Sequence, residues 1–361
     1  MLASLSVPHN RMSDKPVALD TLLSRVSSLL QATDALRLDL LDDQTSAPVS
    51  VPKDWRGAVL AASAQYRQAT VLEDGEVLAS VPYFVRRSRL GFRWGRNPDW
   101  SIPTGLHLEP RLTSNRRAQV LEDLVRQLPA TISLYLVFSE DAGWSQDVPD
   151  AFTRNGFEYS RVPTYQWAPS DGDVLALMKS KARSQLKRAQ ECLEIREIGA
   201  DDFLDYYHTN LVLENAHPAR SLHLAKELLR TGSTRGVVRI IAASRPAASA
   251  DYDAAIACTW DSDRYYYWMS SHRPHINECK PHKDAGKVLV LDAMRHARSL
   301  GLIFDTDGAG STGSEHLYRD ILKLRRADIR HVFQRPTRFA ACYAGFRPLL
   351  LALRQKIYRA G

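Results

Sequence analysis

The chain has 361 residues, 44% apolar and 25% charged, a globular balance in a length that points to two domains rather than one. No stretch approaches the roughly 20 apolar residues of a membrane-spanning helix, and the first thirty residues lack the basic start and apolar run of a secretion signal. Lys and Arg outnumber Asp and Glu by 48 to 41, a net charge of +7, which fits either an ordinary basic surface or an anionic partner such as a phosphate, a nucleotide, tRNA or acidic lipid. Cys192, Cys258, Cys279 and Cys342 are too few for a disulfide scaffold in a chain this long, so reduced thiols and a cytoplasmic setting are expected.

Residues 1–16 are polar and aperiodic, and disorder is expected there. A helical pattern begins at Leu19, with Leu22, Leu23, Val26, Leu29 and Leu30 on one face. Gln68–Leu72 and Val77–Val85 read as a hairpin around Glu73-Asp74-Gly75-Glu76. Pro82 cannot donate to a sheet ladder, so its strand is expected at an edge or at a bulge. The stretch 86–96, with Trp100, is basic and aromatic: Arg86, Arg87, Arg89, Phe92, Arg93, Trp94 and Arg96. A helix over Asn115–Gln127, a strand over Ser133–Phe138, a short helix over Ala151–Gly156 and a strand over Phe157–Trp167 complete the first unit.

Val174–Arg230 reads as a helical connection. Strands are expected over Gly236–Ala243, Tyr252–Trp260 and Arg264–Ser270, followed by a helix over Asp284–Leu300. A strand over Leu302–Thr306, a helical segment over Ser314–Lys323 and a strand over Ile329–Phe333 follow. Both halves therefore read hairpin, helix, strand, short helix, strand. That repeat of elements predicts two tandem copies of one α/β (α+β) fold, each a mixed, largely antiparallel sheet flanked by helices. The expected boundaries are 17–168 for the first domain, 169–334 for the second with its helical linker at 174–230, and 335–361 for a basic tail.

Four stretches resemble the Fem-type (FemAB-like) branch of the GNAT acyltransferase superfamily. They are Asp74–Tyr83, Lys181–Ala189, Gly286–Ala297 with Gly301, and Phe304–Gly308 with Glu315–Arg319. The likeness spans roughly residues 65–335 and rests on the order of the four rather than on any one. The sequence departs from the family in the spacer Ala309–Ser314 and in Ile321-Leu322-Lys323, where a Phe-Gly pair is common. The resemblance implies an acyltransferase whose second domain carries the site. It implies an acyl-CoA or acyl-carrier-protein donor and an acceptor amine or hydroxyl on a sugar, a cell-envelope precursor or a small metabolite. Fem proteins that take aminoacyl-tRNA often carry a long coiled-coil arm, and 174–230 is too short for one.

Acyl transfer to an amine or hydroxyl needs a held donor, a stabilised oxyanion and a place for the acceptor's proton. Lys283, Gly286 and Lys287 match part of a pyrophosphate-binding helix start, although Val288 stands where a small residue is usual; the other reading is a helix start with Gly286 present for packing. Alternation along Phe304–Asp307 puts Asp305 and Asp307 on one face, either to bind substrate or to pair with an arginine such as Arg319 or Arg325. Glu315 reads as a base or as a helix cap, and Tyr318 as an acid for the leaving group or as core. Tyr266 and Trp268 share a face of the third strand and, with Arg319, are candidates for acceptor binding. No cysteine has a nucleophile's surroundings, so attack is expected to be direct.

His272, His275, Cys279 and His282 have spacings that permit a zinc site, but they lack the Cys-pair pattern of known zinc modules, and no metal is expected. The tail from Arg335 has six basic and no acidic residues, and Phe346, Leu349, Leu350, Leu353 and Ile357 fall on one helical face. Residues 344–360 read either as a helix docked on the protein or as one lying on an anionic membrane surface, which would place the protein at the inner face of the membrane. A non-catalytic module binding RNA or acidic lipid through 86–96 and 179–188 is the competing class.

Overall fold

The computed structural model describes residues 66–336, apart from 88–92, 98–99, 101, 103–105, 130, 132, 141–143, 215–221, 247–251, 276–279 and 309–310. The expectations for 1–16, for the helix from Leu19 and for the tail at 344–360 lie outside the described residues.

The first half runs β1 (Tyr66–Glu73), β2 (Glu76–Arg87), β3 (Arg93–Arg96), β4 (His107–Leu108), α1 (Ser114–Arg126), β5 (Ser133–Ser139), α2 (Asp147–Arg154) and β6 (Glu158–Trp167). The second half begins with α3 (Val174–Leu177), α4 (Ser180–Cys192), β7 (Glu194–Glu197), α5 (Ala200–Leu213) and α6 (Leu222–Thr234). It continues with β8 (Val238–Ser244), β9 (Ala254–Trp260), β10 (Arg264–His272), α7 (Ala285–Ser299), β11 (Ile303–Asp305) and α8 (Thr312–His316). A π-helical turn at Leu317–Ile321 leads into β12 (Arg325–Pro336).

The opening hairpin forms where expected. Asp74 and Gly75 both take positive φ, 51° and 83°, which matches the twist of the flanking strands. Pro82 is neither on an edge strand nor at the bulge, which falls between Val71 and Leu72 of β1. On its other side β2 pairs with β4 at Ala79–Ser80 and with β3 from Phe84 onward. Pro82 sits in the gap between these two partners, where a missing N–H disturbs no ladder.

The two halves do not build two sheets. One 12-stranded sheet runs β1-β2-β3-β5-β12-β6-β11-β10-β9-β8-β7, with β4 beside β2. The strand expected to close the second half, β12, lies between β5 and β6 of the first. The strand expected to close the first half, β6, pairs instead with β11 of the second. Each half thus donates its last strand to the other, and β6 and β12 pair antiparallel at the centre. A pattern of elements records their order but not which edge a strand joins, so this exchange is invisible to it.

The packing follows the exchange. Phe333 of β12 is fully buried among Phe138, Phe152 and Tyr159, with its ring 4.4 Å from that of Phe152. Tyr165 and Trp167 of β6 are buried with Leu289, Met294 and Phe304 of the second half. The segment 174–230 is not only helical and is not a mere connection. It contains the edge strand β7, and it covers both faces of the second half's sheet. Leu186 and Ala189 of α4 join α7 on one face, while Phe203, Leu228 and Leu229 of α5 and α6 cover the other. That double cover is why Ile241–Ala243 and Ala254–Cys258 are unbroken apolar runs.

Candidate active site

Two places in the sheet join parallel strands through a helix: β3–α1–β5 and β10–α7–β11. They are topological equivalents, but they end differently. In the first half the Asn97 side chain follows β3 and bonds both backbone groups of Val137, at 3.0 Å to its O and 2.6 Å from its N. The amide acts as one more rung and keeps the two strands together. In the second half β10 pairs with β11 only over Arg264–Tyr266 and then runs on alone to His272 on that side. Between Tyr267 and Met269 the β10 register against β9 shifts, so Trp268 is the extra residue of a bulge. The split and the bulge coincide in the second half, whereas Asn97 bridges the corresponding pair in the first.

Alternation places Tyr265 and Tyr267 on the α4–α7 face and Tyr266 and Trp268 on the α5–α6 face. The bulge then puts Met269 on the same face as Trp268. Tyr266 is buried and donates to Asp261 at 2.8 Å, while Trp268 Nε1 donates to the Trp100 carbonyl at 2.9 Å. Both predicted acceptor contacts are therefore engaged in holding the wall of the site.

β11 stops at Asp305, one residue short of the predicted end, and Asp307 has φ of 54°. Strand alternation therefore does not relate the two carboxylates, yet they converge on one cation. That cation is Arg330 of β12, not Arg319 or Arg325. Its guanidinium bonds the Asp307 carbonyl at 2.7 Å, pairs with the Asp307 carboxylate, and lies 3.9 Å from Asp305. Asp305 is 1% exposed. It accepts from Thr164 Oγ1 at 2.5 Å, Gln166 Nε2 at 2.8 Å and the Asp307 N–H at 2.9 Å. Burial works against the Arg330 charge, but Asp307 and Asp305 outweigh it and hold its pKa above the ordinary value. Gly308 follows at φ 97°, and a Cβ there would lie 3.3 Å from the Arg330 guanidinium. This network holds the turn after β11, with three donors on Asp305 and the Arg330 guanidinium on Asp307.

Ser311, not Glu315, caps α8, accepting from the Ser314 N–H. Glu315 accepts from the Tyr165 hydroxyl at 2.9 Å and from Arg319 at 3.2 Å, and Arg319 is further paired with Asp320. Arg319 is thus tied down among acids. Tyr318 is buried, with its ring 5.9 Å from that of Tyr165 and 6.4 Å from that of Tyr267. Among the described residues its hydroxyl makes no hydrogen bond. Burial first, then Tyr267 and Asp307, push its pKa far up, so it is a neutral phenol with a proton to give. Burial likewise pushes Tyr267 up to about 12.

At the start of α7, Lys287 Nζ bonds Asp284 Oδ1 at 2.6 Å, and the Asp284 carboxylate is nearly inaccessible. Lys283 is exposed. The helix end that would receive a pyrophosphate therefore already carries a paired anion. Gly286 has a packing role: a Cβ there would fall 2.1 Å from His272 Cε1. Gly286→Ala is expected to destabilise the protein by ~1–3 kcal/mol through this overlap, against the ~1 kcal/mol gain usual for Gly→Ala in a helix. Urea denaturation of Gly286→Ala beside the double variant with His272→Ala checks it; the second change should restore stability. Of the four zinc candidates Cys279 lies outside the described residues, and among those described no three His, Cys, Asp or Glu side chains gather to hold a metal.

Thr164, Gln166, Tyr165 and Arg330 were not singled out by sequence. Arg330 carried a signal, being a cation inside the predicted strand Ile329–Phe333, where a buried position needs a partner.

No protein-family model matches the sequence, and no curated protein matches it significantly. Among solved structures, FemX is similar at a TM-score of 0.55 and 10% identity, over 77% of this chain and 89% of that one. A tandem GNAT protein from the clavulanic acid biosynthesis pathway is similar at a TM-score of 0.49 and 12% identity, over 88% of this chain and 95% of that one. At 10% identity the likeness to FemX is one of fold alone. No helix among the described residues is long and apolar enough to cross a membrane.

Proposed function

We propose that the chain is an acyltransferase that works in the cleft where β10 and β11 part. It moves an acyl group from a thioester donor, acyl-CoA or acyl-carrier protein, to an amine or hydroxyl of a sugar, an envelope precursor or a small metabolite. The observation that carries this reading is the coincidence of three features: the strand split, the bulge at Trp268, and the unbonded Tyr318 hydroxyl. A split leaves the β10 backbone edge without a strand partner, so its N–H groups can stabilise the oxyanion of a thioester carbonyl under attack. The acceptor attacks directly and expels the thiolate. Tyr318, kept neutral by burial, hands its proton to that thiolate as it leaves and takes up the proton the acceptor loses, so the donor departs as the thiol and the phenol ends neutral. The Asp305–Arg330–Asp307 network holds the turn beside the cleft and takes no proton.

A second reading takes aminoacyl-tRNA as donor. The buried Asp284–Lys287 pair at the start of α7 favours it, because that pair occupies the helix end a coenzyme A pyrophosphate would use.

A thermal-shift panel against coenzyme A, short- and long-chain acyl-CoAs and total tRNA, at two salt concentrations, separates the readings, since a ligand of the folded state raises stability by mass action. An acyl-CoA shift that survives salt supports the first; a salt-sensitive tRNA shift alone supports the second. Tyr318→Phe is expected to keep the donor's thermal shift and to lower turnover about 10²–10⁴-fold in a single-turnover assay.

A further inference from the structure

The segment that opens the second half carries a row of cations. Between Asp173 and Glu191 the sequence holds no acidic residue but five basic ones, Lys179, Lys181, Arg183, Lys187 and Arg188. α4 turns Leu186 and Ala189 inward, with Ala182 packed beside them, into the core cluster that also holds Tyr318 and has Leu317 and Ile321 against it. Lys181, Ser184, Lys187 and Arg188 are left exposed on the outer face, over a length of about 10 Å. Lys179, Lys181, Lys187 and Arg188 pair with no acid among the described residues. Exposed arginines elsewhere, such as Arg111, Arg154 and Arg230, meet Glu109, Glu122 and Asp201.

The row also runs against the helix's own electrostatics. Lys179 and Lys181 sit at the N-terminus of α4, where the dipole disfavours cations, and Arg183 and Lys187 stand four residues apart, where like charges repel. An anionic partner offsets both effects.

The chemistry of the stretch narrows that partner. Val174–Cys192 contains no aromatic residue. It therefore offers RNA no ring to stack on and a bilayer no aromatic to bury at its interface. What it offers is a compact row of cations and one apolar knob, Leu177, 49% exposed, just before it. That combination suits an acidic helix of a small protein, met by charge complementarity around an apolar contact. The donor end agrees. Asp284 and Lys287 pair at the helix start where free coenzyme A would set its pyrophosphate. A thioester on a protein-bound phosphopantetheine arm has a single phosphodiester instead, and carries its negative surface on the protein.

We propose that α4, with Leu177, is the docking surface for an acidic acyl carrier protein, which makes the carrier-bound thioester the donor. The proposal rests on the reading of the chain as an acyltransferase and selects between the two thioester donors of that reading. Docking on α4 brings the carrier to the side of the sheet that holds Tyr318, since both belong to one core cluster. Acyl-CoA shares the arm but not the acidic surface, so it is expected to be a usable but weaker donor.

The test is biolayer interferometry of the full chain against a bacterial acyl carrier protein in its dodecanoyl form, with total tRNA and phosphatidylglycerol vesicles as the other anionic surfaces. Binding of the carrier, weakened by salt, is expected. Combining Lys181→Glu, Lys187→Glu and Arg188→Glu should weaken it tenfold or more. The melting temperature should stay unchanged or rise, because no ion pair is lost and the repulsion between Arg183 and Lys187 is removed. A carrier whose acidic helix is reversed to lysine should bind the triple variant better than it binds the native chain. Carrier binding that is absent, or that the triple variant leaves intact, overturns the proposal. So does binding of tRNA or vesicles that the triple variant abolishes while the carrier is ignored. An acyl-CoA thermal shift that persists alongside such a failure leaves the transferase reading standing, whereas loss of both removes that reading too.

Discussion

Replacing Arg330 by methionine is expected to destabilise the protein by ~3–5 kcal/mol, because it strands buried carboxylates without a counter-charge. Asp305 is 1% exposed and the Arg330 side chain 10%, so water cannot take the arginine's place. The methionine stem would fill much of the volume, which isolates the electrostatic loss from a cavity. Urea denaturation measures the change. Adding Asp307→Asn to Arg330→Met should recover part of the loss, since the stranded charge then disappears. If Arg330→Met alone is neutral, the pair is not holding the turn after β11.

The second large effect concerns the exchanged strands. Phe333→Ala in β12 is expected to destabilise the protein by ~3–5 kcal/mol. The ring is wholly buried and touches Phe138, Phe152, Tyr159 and Trp144, all from the first half. The signature lies in where the loss appears. Amide exchange should accelerate in β5 and α1, more than 170 residues before the substitution, and not only around β12. A chain ending before Arg325 should fail to fold in both halves, because β5 and β6 each lose a neighbour. A first half that keeps its exchange protection in Phe333→Ala would contradict the strand exchange.

The elements themselves were legible. The hairpin around Asp74-Gly75 follows from local turn chemistry and appears as read, while the helix expected over Ala151–Gly156 is present but runs from Asp147 to Arg154, starting four residues earlier. The α7–β11 order and the faces of Tyr265–Trp268 follow from period-two and period-3.6 patterns. What stayed hidden is what depends on distant partners. The pairing of β12 with β5 joins residues nearly 200 positions apart, and an alternating strand carries no label for its neighbour. The same holds for the site. Asp305 and Asp307 stood out as carboxylates near a strand end, but Arg330, Thr164 and Gln166 reach them from other strands. Pairing inside α7's first turn, between Asp284 and Lys287, was within reach of an i,i+3 reading; the phosphate-loop pattern drew attention to the lysine and the glycine instead.

The first half is also informative by comparison. Asn97 bridges the first half's parallel pair at the position where the second half's pair opens. The first half thus keeps its parallel pair together and lends β6 to the second, whose parallel pair separates. The Trp100 carbonyl, which accepts from the Trp268 indole, links the first half to the bulge of β10.

Photolabelling tests whether an acyl donor sits where β10 and β11 part. An acyl-CoA with a diazirine in its acyl chain would be irradiated with the full chain, and the adducts mapped by peptide mass spectrometry. The account predicts labels on Tyr267–His272 of β10 and on the turn Leu317–Ile321, competed away by unlabelled acyl-CoA. Competed labels confined to β3, Asn97 and β5 would contradict it.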